Sequence, residues 1–161
     1  MDIEKLISSR RIIKKFKAEP IDQNLLLSWL KTASMAPNHR MTEPWEIVFI
    51  GSETRAKLNH KTDFGNAPTV FAVLSNIGSL QLVRDENMVA VSCFIQNFML
   101  LAWSAGVGCF WSSLGVSAPV RHILNVSDEY EVIGIFGAGY PEEIPEAKKR
   151  TEMDAKITYL L

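Results

Sequence analysis

The chain contains only two cysteines, Cys93 and Cys109, and neither belongs to a recognisable pattern. Both lie in apolar stretches without a CxxC or Cys/His spacing, so neither a zinc site nor a disulfide scaffold is predicted. Their surroundings are typical of small buried side chains in a reducing compartment, and we predict a cytoplasmic protein without a metal. The N-terminal residues contain acidic side chains and no long apolar core, so no secretory signal is expected.

The sequence also has no excess of charge of one sign. Seventeen basic and eighteen acidic residues leave a net charge of −1, which predicts no strong global attraction to nucleic acid or an anionic membrane. No GxGxxG or GxxxxGK[ST] loop opens a helix, so the common dinucleotide and P-loop sites are not supported. Repeats, low-complexity segments and linkers are absent, and we predict one domain over residues 1–161.

One segment has no charged side chain at all, residues 88–120. It is long enough to span a bilayer, but polar side chains interrupt it, and Gly106, Gly108 and the Ser112-Ser113 pair predict a turn. A buried helix over 86–105 is therefore favoured over a membrane span. Because it is apolar on nearly all faces, we expect a second subunit to cover part of it.

Hydrophobic periodicity and turn residues predict alternating helices and strands. Asp22 is a candidate N-cap, and Ser117 with Pro119 is typical of a helix start. The predicted helices span 3–9, 23–35, 52–60, 86–105 and 117–124, and the predicted strands span 46–50, 69–75 and 131–140. This order predicts an α/β or α+β sandwich in which helices flank a small sheet.

A basic cluster, SRRIIKKF at 9–16, follows the first predicted helix. In an extended segment alternate side chains share a face, which would place Arg10 with Lys14 and Arg11 with Lys15. Guanidinium groups can bind a phosphate dianion through paired hydrogen bonds. On composition alone, solvent-facing cations that complement the end of a helix are the favoured interpretation.

A second candidate is the segment ASMAPNHRMTEPWEIVFI at 33–50, which predicts a helix, a proline-rich turn and a strand. Pro37 and Pro44 restrict the loop, Asn38 and His39 supply hydrogen-bonding groups, and Trp45 supplies an aromatic anchor. The same features occur in purely structural turns, so the segment alone does not decide between structure and function.

Taken together, RRIIKKF and APNHRMTEPW resemble two motifs of the FMN-dependent nitroreductase family, an Arg-rich phosphate motif and an Ala-Pro…Gln-Pro-Trp loop. The resemblance continues into AGVGCFWSSLG at 105–115 and EYEVIGIFGAGYPEEIPEAKKR at 129–150, so it covers nearly the whole chain. It implies a central, mainly antiparallel sheet flanked by helices, and a homodimer with FMN at its interface. The segment SCFIQNFMLLAW is similar to the family's dimerising helix.

The resemblance also implies roles for particular residues. Lys14 would approach the pyrimidine edge of the flavin and stabilise negative charge there, and no side-chain nucleophile or metal is required. The residues expected to bind FMN are Arg10, Arg11, Ile12 through its backbone, Lys14, Asn38, His39, Met41, Trp111, Ser112, Ser113, Lys148 and Arg150.

Three features depart from the family pattern. Ile12 replaces a residue that commonly carries a hydroxyl group, Glu43 stands where Gln is usual, and the connection over 75–85 is short. Because of these differences, the resemblance does not define the residues of the substrate pocket.

The predicted activity is that of an oxidoreductase with NAD(P)H as co-substrate. Hydride would pass from NAD(P)H to a nitroaromatic, a quinone or a related electron-poor acceptor in a ping-pong cycle. A different reaction on the same flavin scaffold, a noncatalytic flavin-binding or storage protein, and a small interaction module without a cofactor remain as alternatives. Nothing in the sequence selects the acceptor or distinguishes NADH from NADPH.

Overall fold

The computed structural model describes residues 2–160, in which four strands form one antiparallel sheet in the order β1-β2-β4-β3. The strands are β1 (Trp45–Phe49), β2 (Thr69–Asn76), β3 (Gly108–Ser112) and β4 (Tyr130–Gly139). The two central strands, β2 and β4, pair over nearly their whole length, with a register shift between Val73 and Leu74. The predicted antiparallel sheet flanked by helices is confirmed.

Six helical elements surround this sheet. They are α1 (Ile3–Ser9), α2 (Gln23–Ala33), α3 (Ser52–Leu58), the single turn α4 (Asp63–Asn66), α5 (Gln81–Ser104) and α6 (Ala118–Ile123). Asp22 caps α2, as predicted, because its carboxylate accepts a hydrogen bond from the Leu25 N–H at 2.8 Å. Short 3-10 turns lie over His39–Met41, Ser113–Val116 and Met153–Lys156.

Both faces of the sheet are covered by apolar side chains. On one face the sheet packs against α2 and α5, and stacked aromatic rings such as Phe71 and Phe136 form the centre of that core. On the other face a second core includes Ile13 and Phe16 from the N-terminal segment together with residues near α3, α4 and α6. The basic segment is therefore anchored to the sheet through its apolar side chains.

The helix α5 differs from its prediction at its start. It begins at Gln81 rather than near residue 86, because polar contacts stabilise the added turns. The Gln81 side chain donates to Asp85 at 2.7 Å, and Arg84 forms an ion pair with Glu131 of β4. The connection from β2 to α5 is correspondingly short.

By length and composition alone α5 could cross a membrane, and half of its most apolar window is buried in the fold. It packs against α2 and three strands of the sheet, which is the environment of a core helix. One face remains open, where Val89, Cys93 and Gln96 line a groove of about 420 Å³ with Pro37. We call this uncharged surface the α5 groove.

Strand β3 occupies residues for which the sequence predicted a turn. Gly108 and Ser112 are the first and last residues of β3, and only Gly106, with a φ of 79°, belongs to the turn before it. Gly108 is required by packing, because a Cβ there would overlap the side chain of Ile13. The turn prediction at Gly108 and Ser112 is therefore wrong, since a contact distant in sequence selects the glycine.

Boundaries of other predicted elements also shift. The helix α2 ends at Ala33 rather than residue 35, and β1 runs from Trp45 to Phe49 rather than over 46–50. The N-cap position of α3 is Gly51, not Ser52, and α3 ends at Leu58 because Asn59 adopts a left-handed conformation. Each shift is one or two residues and leaves the order of elements unchanged.

Candidate functional site

The cationic part of the candidate site begins where α1 ends. The backbone N–H of Arg10 still bonds to Leu6, and its side chain turns inward beside Cys109 of β3. Its Nη1 atom is buried and has no hydrogen-bond partner within residues 2–160. A buried guanidinium N–H without an acceptor is costly, so this atom is suited to bind an anion.

Two further guanidinium groups lie close to Arg10. Burial lowers the pKa of Arg10, the Cys109 thiol acts in the opposite direction, and the charges of Arg150 and Arg11 lower the pKa further. Residues from the two ends of the chain thus meet at one place. We call Arg10, Arg11 and Arg150 the arginine cluster.

The arginine cluster has no carboxylate to neutralise it in the part of the chain that the structure describes. The ion pairs found there are Arg55–Asp63 and Arg84–Glu131. Arg11 donates only to backbone carbonyl groups, those of Ser8 at 2.7 Å and Arg10 at 3.0 Å. Three cations with an unused buried donor suit a phosphate dianion.

The segment after the arginine cluster runs beside β3. The Ile13 N–H donates to the Cys109 carbonyl at 3.0 Å, and Phe16 forms an isolated bridge with Pro141. Ile13 and Phe16 are both buried, whereas Lys14 and Lys15 are both exposed. The segment is therefore held by two buried side chains three positions apart, and the predicted pairing of Arg10 with Lys14 on one face stays a prediction.

The outer edge of β3 is open beyond Cys109. Because Cys109 directs its carbonyl away from β4, Trp111 directs its backbone N–H and carbonyl the same way. The indole of Trp111 is 40% exposed and lies over Gly134 and Phe136. Ser112 is buried and its hydroxyl accepts from the Leu114 N–H at 3.2 Å, while Ser113 is exposed. This edge can offer backbone donors and an aromatic surface to a ligand.

The proline-rich loop forms a tight turn on the α5 side of the molecule. The side-chain Oδ1 of Asn38 accepts from the Glu43 backbone N–H at 2.9 Å, so the backbone of Glu43, not its carboxylate, holds the turn. Arg40, Met41 and Glu43 have positive φ angles. His39 is exposed, and Met41 is 74% exposed.

The structure does not show this loop beside the arginine cluster in a single copy of the chain. Pro37 lines the α5 groove with residues as far along the helix as Asn97, whereas Ser9 bonds to Trp103. Six helical residues, about 9 Å of helix, separate Asn97 from Trp103. Lys148 is exposed and has no described hydrogen bond that would fix it near the cluster.

Sequence reasoning left His60 without a role, but the structure places it against the turn α4, which itself contacts the backbone of Lys14. Its ring stacks on Phe64 with centroids 4.2 Å apart and meets Phe110 of β3 edge-on. Only the folded chain brings these rings together, because they are up to fifty residues apart. The one local signal is the run of Asn, Asp and Gly residues around it, which favours turns.

Comparison with known proteins identifies one family that this chain resembles over most of its length. The model described as Nitroreductase family matches residues 7–63 and 55–140 of the chain. The putative NAD(P)H nitroreductase YfhC of Bacillus subtilis strain 168 is 35% identical over an alignment 177 positions long. The alignment covers 95% of this chain and 91% of that protein.

Solved structures share the architecture. A nitroreductase-like family protein from Bacillus cereus has a TM-score of 0.90 at 28% identity, and the match covers 99% of this chain and 96% of that one. The NADPH:FMN oxidoreductase of Vibrio harveyi, complexed with NAD+, has a TM-score of 0.87 at 20% identity, over 97% of this chain and 76% of that one. At 20% identity the second likeness establishes the fold alone.

Proposed function

The chain belongs to the nitroreductase family, and from this premise we propose that it is a homodimeric, FMN-dependent oxidoreductase that uses NAD(P)H. The observation that carries the proposal is the buried, unpartnered Nη1 of Arg10 within the arginine cluster. A structural arginine would have acquired an acceptor from the protein. The terminal phosphate of FMN supplies such an acceptor and the compensating charge.

The residues of one copy would hold the two ends of FMN. Arg10, Arg11 and Arg150, with the backbone near Ile12 and the side chain of Lys148, would hold the phosphate. Trp111, Ser112 and Ser113 would lie against the ring, and the backbone N–H of Trp111 would be offered to it from the open edge of β3. The side chain of Ile12 is exposed and supplies no phosphate donor, which places more of the binding on the guanidinium groups.

When bound, FMN supplies the hydride-transfer chemistry that none of the protein's own side chains can supply. The protein binds and orients the ring and excludes water from one side of it. Lys14 would hold a fixed positive charge at the pyrimidine edge, where negative charge increases on reduction. Protons would come from solvent.

A second copy of the chain completes the proposed site. Asn38, His39 and Met41 would reach the ribityl chain and ring from the other subunit, since the α5 groove adjoins their loop and has no charged lining residue. Dimerisation through this groove would cover Val89, which is 64% exposed in the isolated chain. The two free thiols agree with residence in the reducing cytoplasm.

Because only one face of the flavin ring would be accessible, NAD(P)H and the acceptor would bind at that face one after the other. Electron-poor aromatic compounds, such as nitroaromatics and quinones, are the proposed acceptors. Steady-state rates measured over a grid of both substrate concentrations would then give parallel double-reciprocal lines. Intersecting lines would contradict the shared position.

The proposal is tested by adding FMN to purified protein and recording absorbance in the flavin bands together with the calorimetric heat of binding. Oxidation of NADH and NADPH is then followed with nitrofurazone or menadione as acceptor. We expect a yellow, stoichiometric complex that reduces at least one acceptor. A protein that binds FMN and turns over neither acceptor would instead fit flavin storage, and one that binds no FMN would refute the proposal.

A further inference from the structure

The element α4 is a turn of unusual handedness. Its four residues have φ angles of 45° at Asp63, 53° at Phe64, 71° at Gly65 and 58° at Asn66. All four are left-handed, although only one is glycine and Phe64 is fully buried. Left-handed backbone is unfavourable for residues other than glycine, so specific contacts must hold this turn.

Two side chains supply those contacts. The Nδ1 atom of His60 accepts the backbone N–H of Phe64 at 3.1 Å and lies 3.3 Å from that of Thr62. Arg55 donates to the Asp63 and Ala67 carbonyl groups, each at 2.6 Å, and pairs with the Asp63 carboxylate. Because Nδ1 is an acceptor, the His60 ring is neutral and carries its proton on Nε2.

The turn α4 also contacts the backbone on either side of Lys15, at Lys14 and Phe16. The Gly65 carbonyl accepts the Phe16 N–H at 3.1 Å. A Cβ at Gly65 would overlap the carbonyl oxygen of Lys14, so the two backbones are in direct contact. The turn α4 and the backbone of Lys14 therefore pack directly against each other.

We propose that neutral His60 is a positioning residue that holds Lys14 in place through the left-handed turn, and that protonation of its ring releases this constraint. For its effect on the cofactor the inference rests on the proposed function. His60 would not touch the flavin. It would determine where the Lys14 ammonium group is presented.

Protonation converts Nδ1 from an acceptor into a donor, which cannot accept the Phe64 N–H. Burial lowers the pKa of His60, and the Asp63 carboxylate partly opposes this effect. The other titratable groups on the segments around the ring are Glu53, Arg55 and Lys57 of α3, the neighbouring Lys61, Lys14 and Lys15 of the N-terminal segment, and Cys109 of β3. Burial raises the pKa of the Cys109 thiol to about 12, so it stays neutral.

The direction of the pH effect follows from these facts. A histidine whose pKa is lower in the folded protein than in the unfolded chain stabilises the fold fully above its unfolded value of about 6.5. That contribution falls as the pH drops from this value toward the folded pKa. The turn should thus be intact at pH 8 and should loosen as the pH falls through the folded pKa of His60.

Two substitutions separate the hydrogen bond from the charge. His60→Asn places an oxygen acceptor at the δ position without a titrating ring, whereas His60→Gln moves the acceptor one bond further out. His122→Gln is the control, because His122 is exposed near the end of α6. Thermal melting of each variant at pH 8 establishes that it folds.

The first measurement is amide hydrogen exchange of Phe64 in the protein without FMN, followed by NMR from pH 8 to pH 5 and corrected for the intrinsic rate. In the unsubstituted chain and in His122→Gln we expect protection to fall about fivefold, the equivalent of one ordinary hydrogen bond. Protection should persist at pH 5 in His60→Asn and be weak throughout in His60→Gln. Unaltered protection in His60→Gln would overturn the role of His60.

The second measurement is the FMN dissociation constant at the two pH values. Because the phosphate itself titrates, the informative quantity is the difference between variants. We expect the unsubstituted chain to lose several-fold more affinity between pH 8 and pH 5 than His60→Asn does. An equal loss in both would overturn the coupling between His60 and the flavin, whereas no FMN uptake by any variant would overturn the proposed function instead.

Discussion

At the level of single residues, the clearest functional indication is an arginine whose hydrogen bonds are incomplete. Arg10 is drawn into the protein beside Cys109 and near two like charges, yet none of the described residues supplies an acceptor for its buried Nη1. This arrangement lowers the stability of the protein without a ligand, and a bound anion would offset that cost. Buried charged groups with perturbed pKa values are common at sites that bind charged ligands.

Replacing Arg10 tests this interpretation directly. Arg10→Ala should weaken FMN binding by about 1–3 kcal/mol, the range of a charge-assisted hydrogen bond, or roughly 5- to 150-fold in dissociation constant. Titration calorimetry measures the change. Lys57→Ala removes a cation from an exposed position of α3 and should leave the affinity unaltered. Equal affinity in Arg10→Ala and the unsubstituted protein would remove Arg10 from the phosphate site.

The two neighbouring lysines allow a matched comparison. Lys14→Met should lower the flavin reduction potential and slow its reduction by NAD(P)H more than it weakens binding, because a fixed positive charge favours the reduced form. Lys15→Met removes the same charge one residue further on and should change the potential much less. Potentiometric titration and stopped-flow absorbance supply the values, and equal potentials in the two variants would contradict the role of Lys14.

Among the structural elements, the left-handed turn α4 gives a graded prediction for stability. Gly65→Ala adds a Cβ that would overlap the Lys14 carbonyl at a φ of 71°, whereas Gly106→Ala meets strain at a φ of 79° but no atom within 4 Å. Gly51→Ala meets neither. The free energy of unfolding should therefore fall least for Gly51→Ala, by about 1 kcal/mol for Gly106→Ala, and most for Gly65→Ala.

Urea denaturation at pH 7.5 measures all three variants on one scale. The same order should appear in their melting temperatures. A Gly65→Ala protein as stable as Gly106→Ala would show that the contact with Lys14 relaxes easily, which would also weaken the positional coupling of that lysine to the turn.

Elements with strong local signals could be predicted from sequence. The Asp22 cap, the proline near the start of α6 and the β-rich run of β4 each act within a few residues. Strand β3 could not be predicted in this way, because Gly108 is explained by Ile13, nearly a hundred residues earlier. The first turns of α5 depend likewise on the pairing of Arg84 with Glu131.

At the scale of the whole molecule, the open face of α5 predicts how two copies associate. Val89→Asp adds a charge to the exposed α5 groove without burying it in the isolated chain. Across a twofold axis the two added carboxylates would repel each other, so the variant should become monomeric and lose FMN together. Sedimentation velocity with absorbance in the flavin bands measures both changes.

Ala56→Asp is the control for that variant, since it adds the same charge to an exposed position of α3. It should remain dimeric and yellow. A Val89→Asp protein that stays dimeric would exclude the α5 groove as the interface, and a monomer with full flavin content would exclude a shared site.

The candidate site was only partly accessible to sequence reasoning. The motifs indicated the arginine cluster and both loops, but the approach of Arg150 to Arg10 spans the whole chain and is visible only after folding. His60 carried no interpretable pattern, since its role depends on the handedness of a turn. Local chemistry can be inferred from sequence, whereas the constraint that one segment places on another requires the fold.

The contrast between the two thiols has a practical use. Cys109 is buried with a pKa raised to about 12, whereas Cys93 is only half-buried and lines the α5 groove. Maleimides react with thiolates, so a fluorescent maleimide should label Cys93 selectively. Because the α5 groove is the proposed dimer interface, pairing of two copies would shield Cys93, and slower labelling at higher protein concentration would report that association.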